Sequence, residues 1–90
     1  MEKVIFRKEK EGNIIAFLPE TPATFGNIMC LSRIDGHGEA DLMYYRYETK
    51  PAKPEEYQSF LQWMKNAYGY NPRVMKRVQY RDLLKAWRYE

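Results

Sequence analysis

Between Pro54 and Gly69 the chain repeats apolar residues at helical spacing, and this bracketed segment limits the fold more than any other feature. Tyr57, Phe60, Leu61, Met64 and Tyr68 recur three and four apart, which places them on one face of an α-helix. Pro54 stands where a first helical residue tolerates it, because its missing N–H would be unpaired there anyway. Glu55 and Glu56 suit the positive end of the helix, and Gly69 suits its close. Trp63 falls near the edge of the apolar face. A chain of 90 residues is one domain, residues 1–90. At that size roughly 65% of the unfolded surface is buried on folding, enough for one sheet carrying one or two helices.

The rest of the chain is broken into short β-prone runs. Lys3 to Glu9 contains Val4, Ile5 and Phe6, Gly12-Asn13 is a turn signal, and Ile14 to Leu18 follows until Pro19 stops it. These two runs read as an antiparallel hairpin. Pro19 to Gly26 reads as a surface connection. Asn27 to Ile34 reads as a third strand, with Ile28, Cys30, Ser32 and Ile34 on one face and Met29, Leu31 and Arg33 on the other. Asp35 to Glu39 reads as a turn capping a hairpin, and Asp41 to Glu48 as a fourth strand, with Tyr44 and Arg46 on its open face. Thr49 to Lys53 reads as a linker. After Asn71-Pro72, Arg73 to Gln79 suits a short edge strand, and from Tyr80 the period changes to that of a second short helix. The expected class is α+β: a mainly antiparallel sheet of four to five strands, one amphipathic helix packed on one face, and a short C-terminal helix at its edge.

Composition narrows the function classes. Hydrophobic residues make up 44% of the chain, too many for a disordered segment. A single cysteine permits no internal disulfide. No apolar run approaches the ~18 residues of a membrane span, and the first residues show no cleavage-type segment. The expectation is a cytoplasmic protein with no membrane association. No Gly-rich phosphate loop, paired-carboxylate arrangement or His-Glu-x-x-His occurs, so no cofactor is implied.

Two stretches carry residue types with chemical potential. The first, Cys30 to Asp41, holds the only cysteine, the only histidine (His37) and two flanking acids, Asp35 and Asp41. Histidine titrates near neutral pH, and a neighbouring carboxylate can orient its ring as a general base. Ser32 is the nearest hydroxyl. Thiolate, imidazole and carboxylate are all zinc donors, but the paired spacing of a structural zinc site is missing. The ordinary reading is a buried small Cys30 and a His37 that helps to close a turn, with no metal held.

The second stretch is the C-terminus. Residues 1 to 70 carry nine Lys/Arg against ten Asp/Glu, whereas residues 71 to 90 carry six against two. A basic end on a near-neutral body points to a polyanionic partner. Arg77, Arg81, Lys85 and Arg88 fall on one stripe of a helix that starts early, beside Tyr80, Leu83, Leu84 and Trp87. The cations suit phosphates and Trp87 suits stacking on a base. The same pattern suits docking on an acidic protein, or plain packing against the sheet with the cations in solvent.

The segments Lys3-Val4-Ile5-Phe6-Arg7-Lys8, Ile15-Ala16-Phe17-Leu18-Pro19-Glu20, Cys30-Leu31-Ser32, Gly36-His37-Gly38-Glu39-Ala40-Asp41, Thr49-Lys50-Pro51-Ala52 and Glu55-Glu56-Tyr57 are similar to those of small uncharacterised proteins encoded by bacteriophages and bacterial mobile elements. The resemblance spans roughly residues 3 to 78; the tyrosine-rich strand and the tail from Tyr80 lie outside it. It carries no assigned reaction and no catalytic residue. It implies a small accessory protein that binds a host or phage macromolecule. The expected function is therefore a non-enzymatic binding module that contacts a protein or nucleic acid through Arg77, Arg81, Lys85, Arg88 and Trp87. The alternatives are a small hydrolase or metal-dependent enzyme centred on His37, Asp35 and Asp41, and a structural protein that self-associates as a homo-oligomer through its fifth strand.

Overall fold

A computed structural model describes residues 2–88. The elements run β1 (Lys3–Glu9), β2 (Ile14–Leu18), β3 (Asn27–Ser32), β4 (Gly36–Asp41), α1 (Leu42–Tyr47), β5 (Thr49–Pro51), α2 (Pro54–Tyr68), β6 (Arg73–Val74) and α3 (Tyr80–Trp87). The class is α+β, with a six-stranded, mostly antiparallel sheet. Its order is β4-β3-β2-β1-β5, and β6 pairs in parallel with β1. Because β2 occupies one edge of β1, β5 and β6 share the other. β5 pairs with Arg7 to Glu9 and β6 with Lys3 and Val4.

Both faces of the sheet are covered. Val4, Phe6, Ala16, Leu18 and Leu31 point to one side and are buried with Phe60 and Met64 of α2. Ile5, Ile15, Phe17 and Ile28 point to the other, where Tyr45 of α1 and Leu83 of α3 close over them. The register supports this layering: Phe6 lies opposite Ala16, Ala16 opposite Leu31, and Ile5 opposite Phe17. A strand covered on both faces is apolar without alternation, which is how Val4-Ile5-Phe6 and Ile14 to Leu18 read. The short C-terminal helix therefore lies across the second face rather than at the sheet edge. The alternation expected for β3 holds, with Ile28 and Cys30 on the α3 side and Met29 and Leu31 on the α2 side.

α2 has the expected bounds. Gly69 caps it with a positive φ of 66° and donates its N–H to the Lys65 carbonyl at 3.1 Å. Four other expectations give way. The turn lies at residues 33–35, where Ser32 Oγ accepts from the N–H groups of Ile34 (3.1 Å) and Asp35 (3.2 Å). Gly36 to Asp41, including the Gly-His-Gly stretch, is thereby a strand and not a hairpin cap. The segment read as a tyrosine strand is helix α1, because Asp41 accepts the Met43 N–H at 2.7 Å and so caps a helix start. The supposed linker supplies β5, and the supposed strand from Arg73 to Gln79 pairs over only two residues.

Among the described residues, no helix is long and apolar enough to cross a membrane.

Candidate functional site

α3 is held to the body by its inward side. Asp82, Leu83 and Ala86 are buried. Asp82 accepts from Lys3 Nζ at 3.2 Å (Oδ1) and 3.0 Å (Oδ2), and Gln79 Oε1 accepts from the same ammonium at 3.2 Å. Near the helix C-terminus, the Ala86 carbonyl accepts the Ala23 N–H at 3.4 Å, and the Trp87 indole N–H donates to the Asn27 carbonyl at 2.8 Å. Helical spacing then leaves Tyr80, Arg81, Leu84, Lys85 and Arg88 turned outward, and all five are exposed.

That outward face is unusual in its charge. Among the described residues it carries three cations and no acid, since the one acid of α3, Asp82, is directed inward and neutralised by Lys3. The ion pairs among the described residues are Lys3–Asp82, Lys8–Glu56 and Lys10–Glu48, none of which uses a cation of this face. Arg81 makes one neutral hydrogen bond, from Nε to Gln79 Oε1 at 3.3 Å. Lys85 and Arg88 also lie at the negative end of the helix, which favours both.

Aromatic groups adjoin the cations. Tyr80 is 63% exposed and Leu84 41% exposed. The Trp87 ring lies 6.3 Å from that of Tyr80 and 4.9 Å from that of Phe25, which is 73% exposed. Trp87 itself is half-buried, with its N–H committed. It anchors the patch, and Phe25 and Tyr80 are the rings most open to a partner. Phe25 escaped the sequence reading because it sits in the loop before β3, some 60 residues away in the chain.

Arg77 does not join the α3 stripe. The helix begins at Tyr80, so Arg77 belongs to the preceding connection. There it lines a groove of about 240 Å³ together with Arg46 of α1 and Tyr80. The positive surface thus continues from α3 past Tyr80 to Arg77, and gains Arg46, a cation that sequence reasoning had placed on a strand.

The second candidate cluster is dispersed. His37 lies on β4, and its Nε2 is 3.1 Å from the Tyr70 hydroxyl, with the Tyr68 ring 5.3 Å away. Asp35 is in the turn before β4, and Asp41 is occupied as the cap of α1. Asp41 is four positions along the strand from His37, roughly 13 Å. Ser32 is used by the turn. Cys30 is half-buried, and burial, with smaller contributions from Glu9 and Glu39, pushes its thiol up from the ordinary value. Among the described residues, no three His, Cys, Asp or Glu side chains converge as metal ligands do. Tyr44 is also committed, through a hydrogen bond from its hydroxyl to Glu9. That bond, helped by burial, raises its pKa to about 12.

Comparison with protein-family models, curated proteins and solved structures returned no match.

Proposed function

We propose that the protein is a non-enzymatic binding module that docks on nucleic acid through the outward face of α3. The observation that carries this reading is the acid-free row of Arg81, Lys85 and Arg88, exposed on a helix whose only carboxylate is turned into the body. Cations with no ion pair among the described residues release counterions when they meet phosphates. The exposed rings of Phe25 and Tyr80 beside them give bases a surface to stack on. This pairing of positive charge with open aromatics suits single-stranded nucleic acid better than duplex, in which base faces are hidden.

The proposal extends to setting: a small accessory protein of phage or mobile-element type, acting in a bacterial cytoplasm, where a lone thiol such as Cys30 stays reduced. The test is fluorescence polarisation of a labelled single-stranded oligonucleotide against the protein and its Arg81→Gln/Lys85→Gln variant. Both side chains are exposed, so the fold should not change. The variant should bind about tenfold or more weakly, since charge-assisted contacts are worth about 1.5–3 kcal/mol each. Equal affinity of the two proteins would defeat the proposal. Tight binding to an acidic protein, with no affinity for oligonucleotide, would transfer the face to a protein partner.

A further inference from the structure

The edge of β1 opposite β2 is shared by two strands that do not meet. β5 leaves it after the Ala52 N–H donates to the Phe6 carbonyl at 3.2 Å, and β6 leaves it after the Met75 N–H donates to the Val4 carbonyl at 2.8 Å. From there the chain turns one way into α2 and the other way toward α3. The opening between them is a cleft of about 630 Å³, within the range of small-molecule sites, about 300–1,000 Å³.

The walls divide by chemistry. Tyr57 and Met75 form an apolar part, backed by the buried Phe6, whose ring is stacked on that of Tyr57 at 4.5 Å with the planes 11° apart. Lys53, Lys76 and Arg77 form a cationic part, all three exposed and none in an ion pair among the described residues. Among the described residues, no carboxylate lines the cleft. Arg7 also borders it, but its guanidinium is spent inside the fold, donating to Thr49 Oγ1 (2.9 Å), the Thr49 carbonyl (2.8 Å) and the Tyr45 carbonyl (3.2 Å). That cation acts as a fixed wall, and the other three are free to close on a ligand.

We infer that this cleft binds a nucleotide, with the base against the apolar part and the phosphate among Lys53, Lys76 and Arg77. A flat ring matches the aromatic lining. A phosphate dianion matches three exposed cations that line one cleft. A purely apolar ligand would leave the cations unmatched, and inorganic phosphate would leave most of the volume empty. The cleft shares Arg77 with the surface that continues from α3 but no residue of the α3 face, so either assignment can fail alone. The same chemistry can come from a free nucleotide or from the phosphorylated end of a strand.

The test is a titration followed through backbone amide shifts, with adenosine 5′-monophosphate, adenosine, inorganic phosphate and a 5′-phosphorylated trinucleotide as probes. The monophosphate should move the amides of Phe6, Ala52, Tyr57 and Met75. Adenosine and inorganic phosphate should each bind about tenfold or more weakly, because each lacks half of the recognised chemistry. A trinucleotide that binds more tightly than the monophosphate identifies a strand end as the source; one that binds more weakly identifies a free nucleotide. Lys53→Gln with Lys76→Gln should weaken the monophosphate about tenfold or more, whereas Arg81→Gln with Lys85→Gln should leave it unchanged. No shift at these amides up to about 10 mM, shifts confined to residues 80–88, or equal binding of adenosine and the monophosphate would overturn the assignment.

Discussion

Replacing Asp82 by alanine removes the carboxylate that both neutralises Lys3 and leaves the outward face of α3 free of acid. The Lys3 and Asp82 side chains are only 15% and 7% exposed. In the variant the Lys3 ammonium keeps Gln79 Oε1 as its remaining side-chain acceptor. Stranding one partner of a buried pair costs about 3–5 kcal/mol. The residual exposure of Lys3 and its bond to Gln79 place the cost near the lower end, about 3 kcal/mol. A 90-residue domain has a total stability of roughly 4–14 kcal/mol at the usual 0.05–0.15 kcal/mol per residue. The loss is therefore a large fraction of the whole, and Tm should fall by about 12–24 °C. Urea unfolding followed by tryptophan fluorescence should show a lower midpoint with an unchanged slope. Replacing both partners, Lys3→Met with Asp82→Leu, should recover most of the loss, because no charge is then left stranded. A cost below about 1 kcal/mol for Asp82→Ala would mean that the pair behaves as a solvated surface pair. α3 would then not be held by this pair.

Two further outcomes follow from single contacts. Tyr44→Phe removes the hydrogen bond to Glu9. The pKa of Tyr44 is about 12 in the fold against 10.0 ordinarily, so the bond contributes fully below pH ~10 and is lost as the pH rises toward the folded value. The stability difference between the parent and this variant, measured by urea titration, should be constant from about pH 7 to 9 and shrink above pH ~10; a difference that grew there would refute the assignment. Gly69→Ala should cost about 1 kcal/mol by the same assay, because Gly69 has a positive φ of 66°. A Cβ there meets nothing within 4 Å, so the cost is backbone conformation alone, and a neutral result would contradict the helix-cap geometry.

The legible parts of the fold were those with an unambiguous period and a stop signal. Pro54 to Gly69 has both, and α2 lies where they say. The faces of β3 were readable from their alternation, and β1 and β2 from short apolar, β-prone runs bounded by Gly12-Asn13 and Pro19. Met43, Tyr45 and Tyr47 alternate as a strand would, but Leu42 and Tyr45 also lie three apart on one helical face. Over six residues the two periods do not separate. The deciding feature was Asp41, whose carboxylate caps a helix start. β5 and β6 were unreadable because three- and two-residue strands carry almost no pattern; they exist because β1 has an edge to fill.

The candidate face was legible in part. Arg81, Lys85 and Arg88 lie together at helical spacing, as charge and period implied. Arg77 drops out of the stripe because the helix starts three residues later. Trp87, expected as a contact, is half-buried, with its N–H donating to a carbonyl across the fold that no local pattern signals. Phe25 and Arg46 were missed because only tertiary folding brings distant segments beside α3. The inward turn of Asp82 had no local signal, since its partner Lys3 is 79 residues away.

The most direct measurement is the salt dependence of oligonucleotide binding. With Arg81, Lys85 and Arg88 each neutralising a phosphate, the slope of log K against log salt on a single strand should be about −2.1, a loss of roughly eighteenfold between 50 and 200 mM. Removing Arg81 and Lys85 should cut that slope to about a third. Binding that is indifferent to salt, or a slope that those substitutions leave unchanged, would contradict the assignment of this helix face to nucleic acid.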